Sequence, residues 1–251
     1  LNKPSARLLI ELGVILGIWL LASLIWIKTP FSNSFFFYGP FPPAGNFQPA
    51  SDARLMDLGG QYLIIGSRLE TPYFTEKPYY ALFLGLIRFA FGQDYVVATN
   101  VQMLFFALFP VILYLLGKAF ASKGFGIALA AFAIFKEFTA ILFTYKISVS
   151  NSRLMMTEFP SALLLTLAAL LLFRWLSRGR GSLALPLAAG AVLGVASLVR
   201  SNNLVVLGLV FVYLVLISLR RFKPNLAGLG LFALGALITI MPWLVYNQVT
   251  Y

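Results

Sequence analysis

The chain has 251 residues, of which 60% are hydrophobic and 11% are charged, and its mean hydropathy is +0.89. It contains neither cysteine nor histidine, so disulfide bonds, thiolate metal ligands and imidazole acid–base chemistry are excluded. The net charge of +11 comes from bases grouped between apolar runs, which is typical of membrane-protein loops and argues against nucleic acid as a partner. Any acid–base chemistry must therefore use carboxylate, lysine or tyrosine side chains.

The first predicted transmembrane helix covers residues 8–27 and follows Lys3 and Arg7. Its apolar run is too long for a signal peptide, and no small-residue cleavage pattern follows it. Basic residues at its start place the N-terminus in the cytoplasm and the following segment outside. Arg7 and Glu11 have i, i+4 spacing, so we expect them to form an ion pair.

Residues 28–94 form the predicted first external loop. Within it, residues 52–66 show apolar side chains at helical spacing, which predicts an amphipathic helix lying in the membrane interface. The apolar stretch 78–92 is shorter than the roughly 20 residues that a span requires, and it carries Arg88. We interpret this stretch as a re-entrant or interfacial helix.

The other apolar runs complete an all-α, polytopic transmembrane fold with about seven spans in a cell inner or plasma membrane. The spans are predicted at residues 8–27, 95–117, 125–145, 158–175, 183–199, 203–219 and 225–245. This count puts the larger groups of bases on the cytoplasmic side, as the positive-inside rule requires. The external segments are then 28–94, 146–157, 200–203 and 243–251.

Lys136 and Glu137 form a charged pair inside the third predicted span. A charge at membrane depth is costly, so the pair either faces inward with a partner or marks an earlier exit from the bilayer. We expect the earlier exit.

Several charged residues in the external segments are candidates for a site. Asp52 either caps the helix that it opens or accepts a proton from an incoming hydroxyl. Lys77 is either an interfacial anchor or a ligand for a lipid phosphate. Glu158, which follows Arg153 in the second external segment, either complements a helix dipole or serves the site. Arg200, at the external end of a span, is suited to contact an anion.

The order of these segments resembles the polytopic GT-C glycosyltransferases, which include aminoarabinose transferases and protein O-mannosyltransferases. The resemblance covers residues 8–247, and its motifs are SDARLMDLGGQYLIIG, EKPYYALFLGLIRFAFG, NSRLMMTEF, GVASLVRSNN and MPWLVYN. It implies that residues 1–251 are a single seven-span GT-C-like module, with the family's variable C-terminal domain either absent or outside these residues.

The resemblance also implies a reaction. A sugar would pass from a polyprenyl-phosphate donor to a lipid, glycan or protein hydroxyl at the external face. Asp52 would be the catalytic residue, either as the base or as the carboxylate that orients the acceptor, and Lys77, Arg153, Glu158 and Arg200 would bind substrate. Many members have a second acid directly after the first, whereas this chain has Ala53. A divalent metal bridging two carboxylates occurs in one branch of the family, but we expect no metal or other cofactor here.

Two other functions stay open at this point. The chain could be a membrane subunit that keeps the glycosyltransferase module as a scaffold for other protein subunits. It could also be a lipid or solute transporter, although it shows no internal repeat of the kind that many transporters have.

Overall fold

The computed structural model describes residues 3–30, 33–41, 45–66, 77–146, 149–178, 183–220 and 226–250. These residues are helical apart from one antiparallel β-hairpin and short connections, so the predicted all-α class is confirmed for them. The elements in chain order are α1 (Lys3–Lys28), β1 (Phe37–Phe41), β2 (Asn46–Pro49), α2 (Ser51–Ile64), α3 (Pro78–Phe91), α4 (Tyr95–Phe106), α5 (Leu108–Phe120), α6 (Lys123–Leu142), α7 (Glu158–Arg178), α8 (Ala184–Val199), α9 (Asn203–Arg220) and α10 (Leu226–Thr250).

Five helices of the described chain are long and apolar enough to cross a membrane. They are Ala6–Lys28, Tyr95–Phe120, Lys123–Leu142, Glu158–Ser177 and Leu226–Val249. The predicted count of seven spans is not confirmed, because the apolar helices Ala184–Val199 and Asn203–Leu219 are shorter than 18 residues. At 1.5 Å per residue, a helix of 16 residues reaches roughly 24 Å, which is less than the hydrocarbon thickness of about 30 Å. The structure thus fits a membrane protein with several apolar helices.

The chain divides into two compact units. The first unit comprises Leu1–Arg54 and Phe91–Met156, and the second comprises Leu55–Ala90 and Thr157–Tyr251.

In the first unit, α1 packs against α4, α5 and α6, and one end of this bundle is held together by Glu11. The carboxylate of Glu11 contacts the ammonium groups of Lys118 at 2.5 Å and Lys123 at 3.3 Å, and the Tyr114 hydroxyl donates to it at 2.9 Å. The predicted Arg7–Glu11 pair is wrong, since Glu11 pairs across helices instead. Both lysines therefore lie at the end of the unit where α1 begins.

For Lys136–Glu137 the structure favours the inward-facing alternative over the expected early exit from the bilayer. Helix α6 continues to Leu142, and Glu137 is 1% exposed within the unit. Glu137 is thus an inward-facing carboxylate with partners, whereas the side chain of Lys136 is 53% exposed.

In the second unit, α8 packs closely against α10 through glycines. A Cβ on Gly190 would collide with the backbone of Phe232, and one on Gly194 would collide with Thr239. Small residues let transmembrane-type helices approach until their backbones touch. Helices α7, α8, α9 and α10 enclose a core of Ala168, Trp175, Ala189, Leu193, Leu214 and Phe232.

Candidate functional site

Asp52 lies in the first turn of α2, in an exposed position. The side chain makes no hydrogen bond or ion pair with any described residue. A capping carboxylate accepts a hydrogen bond from a backbone amide of the first turn. The Asp52 carboxylate makes no such bond within the described residues, so the geometry does not support its predicted role as a helix cap. An exposed carboxylate without a partner is free to accept a proton from another molecule.

The backbone just before Asp52 is strained. Ser51 has a φ of +51°, and it is the one non-glycine residue with positive φ in the described chain. This left-handed conformation is unfavourable for residues with a Cβ, and such residues cluster at functional sites. The backbone conformation of Ser51 sets the direction in which α2 leaves the preceding strand.

The β1–β2 hairpin anchors this start of α2 within the first unit. The Ala50 amide donates to the Phe36 carbonyl at 3.0 Å, and the ring of Phe37 stacks on Phe47 and Tyr95 at centroid distances of 4.9 and 5.2 Å. Since Tyr95 is the first residue of α4, the hairpin is tied to a helix of the bundle. The Asp52 backbone is thereby held in place although its side chain is exposed.

The other acids of the described residues all have partners. They are Glu11 with Lys118 and Lys123, Asp57 with Arg88, Asp94 with the Val97 amide, Glu137 with the Ser152 amide, and Glu158 with Arg200. Glu70 and Glu76 lie outside the described residues. Asp52 is thus distinguished among the described carboxylates by lacking a structural partner.

Glu158 and Arg200 are brought together by the second unit. Glu158 Oε1 lies 2.6 Å from Arg200 Nη1, and the two side chains are 38% and 33% exposed. Glu158 begins α7 and Arg200 follows the last residue of α8, so the start of α7 and the end of α8 lie side by side. Two predicted site residues therefore share one location.

The turn after Arg200 is fixed by Asn203. Its buried amide donates to Ser161 Oγ and to the Ala196 carbonyl, both at 2.8 Å. These bonds tie the start of α9 to α7 and α8. The Arg200 backbone is held by the same turn, because the Arg200 carbonyl accepts from the Asn203 amide N–H at 2.9 Å.

Arg153 belongs to a buried loop, residues 151–156, of the first unit. Its guanidinium donates to the carbonyls of Trp26 at 2.8 Å and Ile27 at 3.3 Å, in the last turn of α1. Cations are favoured at helix C-termini, where carbonyls lack partners within the helix. Burial lowers the pKa of Arg153 to about 10, which leaves the guanidinium charged at neutral pH. The observed contacts give Arg153 a role in joining the loop to α1.

The same loop is held by two further helices. Ser152 donates its amide N–H to the Glu137 carboxylate at 2.5 Å, and Gln102 donates to the carbonyls of Ser152 and Leu154 at 2.8 and 3.1 Å. Buried backbone groups outside regular structure need such partners. The loop is therefore a rigid part of the first unit.

Lys77 directly precedes α3 and is half-buried in the second unit. The neighbouring Tyr79 donates its hydroxyl to the Thr239 carbonyl at 2.5 Å, which fastens the start of α3 to α10. Helices α2 and α3 run antiparallel, with Asp57 against Arg88 and Gly60 against Gly85, so α3 begins beside the last turn of α2.

The sequence interpretation missed the partner of Arg88. Its guanidinium, 2% exposed, binds the Asp57 carboxylate at 2.7 and 3.0 Å, and Gln61 donates to the other carboxylate oxygen at 2.8 Å. An arginine inside an apolar helix requires a partner, and this was the available signal. Asp57 and Arg88 are 31 residues apart, so the sequence alone did not identify the pair.

No group of three or more carboxylate side chains that could hold a metal ion occurs within the described ranges. Comparisons of the whole chain with protein-family models, with curated proteins and with solved structures give no match.

Proposed function

We propose that the protein is a membrane glycosyltransferase that transfers a sugar from a polyprenyl-phosphate donor to a hydroxyl group at the outer face of the membrane. The observation that carries the proposal is the Asp52 carboxylate, which is exposed, without a partner among the described residues, and held by a strained, anchored backbone. The motif order that resembles GT-C enzymes supplies the type of reaction. The proposal includes seven spans, in which α8 and α9 also cross the membrane.

The proposed step conserves atoms and charge. The acceptor oxygen forms a bond to the anomeric carbon of the sugar while its proton passes to the Asp52 carboxylate. The bond between the anomeric carbon and the phosphate oxygen breaks, and its electron pair leaves with the polyprenyl phosphate. A general base of this kind accelerates a reaction by roughly 100-fold to 10,000-fold.

Cations near the phosphate would stabilise the charge that develops on it. We propose Arg200 and Lys77 for this role because both side chains are partly exposed. Arg153, which was predicted to bind substrate, is better suited to hold its loop, given its bonds to α1. No metal is assigned to the reaction.

The experiment uses the full chain in proteoliposomes that contain a membrane lipid extract as a source of acceptors. Polyprenyl-phosphate-linked hexoses and pentoses are added one at a time, and the release of free polyprenyl phosphate is measured by mass spectrometry. We expect release with at least one donor and a loss of about 100-fold or more in Asp52→Asn. The matched control is Asp94→Asn, which makes the same change at an acid that caps α4, where asparagine caps equally well.

A non-catalytic scaffold is the second candidate, and a specific observation favours it. Arg153 is occupied by helix carbonyls and Arg200 by a carboxylate, so two cations expected to bind phosphate already have partners. The scaffold is supported if no donor is consumed while the protein is folded and co-purifies with other membrane subunits. Donor consumption that depends on Asp52 excludes it.

A further inference from the structure

The Glu158–Arg200 pair joins two residues to which the family resemblance assigns the same role, binding of substrate. A carboxylate and a phosphate carry charge of the same sign, so they compete for one guanidinium. We infer that Glu158 is a resident counter-ion of Arg200 that a phosphate-bearing ligand displaces. This inference rests on the proposed function, in which Arg200 receives the donor phosphate.

The contact between the two side chains is incomplete. One carboxylate oxygen, Oε1, lies 2.6 Å from Arg200 Nη1, whereas the other, Oε2, is buried and has no hydrogen-bond partner among the described residues. A guanidinium offers five N–H donors and binds best when two of them meet two oxygens. A pair that uses one oxygen leaves donors of Arg200 available for a ligand.

Solvent reaches this pair. Both side chains are about one-third exposed, and partly exposed ion pairs contribute little to stability because water screens them. Replacing the carboxylate by a phosphate therefore loses little, and it gains a second hydrogen bond when two phosphate oxygens meet two N–H donors of the guanidinium. The buried Asp57–Arg88 pair, at 6% and 2% exposure, lacks this property.

The surroundings of Arg200 are rigid enough to form a site. The buried Asn203 amide fixes the turn to Ser161 and to the Ala196 carbonyl, and the Arg200 amide N–H itself donates to Ala196 at 3.0 Å. The exchange of Glu158 for a ligand is thus a movement of side chains on a fixed backbone. Glu158 neutralises the arginine in the observed pair, and the phosphate would neutralise it after the exchange.

The inference is tested by titrating the purified full chain in a non-ionic detergent with inorganic phosphate and, separately, with dodecyl phosphate. Binding is followed by calorimetry for the wild type, Glu158→Gln and Arg200→Gln. Loss of the competing carboxylate is expected to tighten binding by about fivefold, and loss of the arginine to abolish it. A response to dodecyl phosphate alone identifies a lipid headgroup as the ligand, and a response to both probes identifies the phosphate group itself.

The control for net charge is Asp94→Asn, which also removes one negative charge but lies in the other unit. It is expected to change binding by less than twofold. Glu158→Asp provides a second variant that keeps the charge: its shorter side chain holds Arg200 less well, so binding should tighten by less than in Glu158→Gln.

Binding by Glu158→Gln that is unchanged or weaker than in the wild type overturns the inference, because Glu158 would then be inert or would hold Arg200 in place. The assay measures binding and contains no sugar. A failure here therefore leaves the role of Asp52 intact, and a failure of transfer leaves the counter-ion role of Glu158 intact.

Discussion

Glu137 and Asp52 are carboxylates of the same unit with opposite surroundings. Glu137 is 1% exposed and accepts a hydrogen bond from a loop amide, whereas Asp52 is exposed and has no partner among the described residues. A buried carboxylate costs free energy unless it is bonded, so its presence is explained by the loop that it holds. The described surroundings of Asp52 give no such structural reason, and our proposal assigns this exposed carboxylate the role of the base.

The largest effect should come from the buried pair of the second unit. Replacing Arg88 by methionine leaves the Asp57 carboxylate buried without its cation, which is expected to lower the free energy of unfolding by about 3 to 5 kcal/mol. Unfolding in detergent, followed by circular dichroism, measures this loss. The double variant Asp57→Leu/Arg88→Met is the control and should recover most of it. A single variant as stable as the wild type would show that the pair does not hold α2 to α3.

Glu137→Ala should have the next largest effect. It removes the acceptor of the buried Ser152 amide, which is expected to cost about 1 to 3 kcal/mol. Glu137→Gln keeps an acceptor oxygen and should cost less. Protease cleavage within residues 149–156 reports the loosened loop directly. Equal protection in the alanine variant and the wild type would mean that Glu137 does not anchor the loop.

Ser51→Gly should have a small effect of the opposite sign on stability. Glycine adopts positive φ without a steric penalty, so the free energy of unfolding should stay equal or rise by about 1 kcal/mol. Donor consumption should fall, because a glycine no longer restricts the direction of Asp52. Ser51→Ala is the matched control, since it keeps the Cβ and the restriction. If Ser51→Gly and Ser51→Ala consume donor at the same rate, the strain at residue 51 does not contribute to the reaction.

Much of the helical framework follows from the sequence. Apolar runs predicted α1, α6, α7 and α10, and the short run with Arg88 forms a separate helix, α3. The prediction of a membrane protein requires only the composition and the length of the apolar runs, which are properties of contiguous residues.

The partners of the charged residues could not be predicted in the same way. Glu11 pairs with lysines more than a hundred residues away, where the i, i+4 rule offered Arg7. Glu137 binds a backbone amide, which has no signature in the sequence. Both contacts depend on how helices pack, and a local pattern carries no information on that packing.

In the candidate site, too, the sequence identified individual residues but not their partners. The scarcity of acids identified Asp52 from the sequence, and the structure adds that its carboxylate lacks a partner among the described residues and follows a strained serine. The pairing of Glu158 with Arg200 required the packing of α7 against α8, which spacing along the chain does not give.

The most direct test of the account is the initial rate of donor consumption by Asp52→Asn, measured on equal amounts of folded protein in proteoliposomes. We expect an unchanged melting temperature, because the exposed side chain has no partner among the described residues to lose, together with a rate at least about 100-fold below the wild type. A variant with wild-type stability and a rate within twofold of the wild type would contradict the assignment of Asp52 as the base.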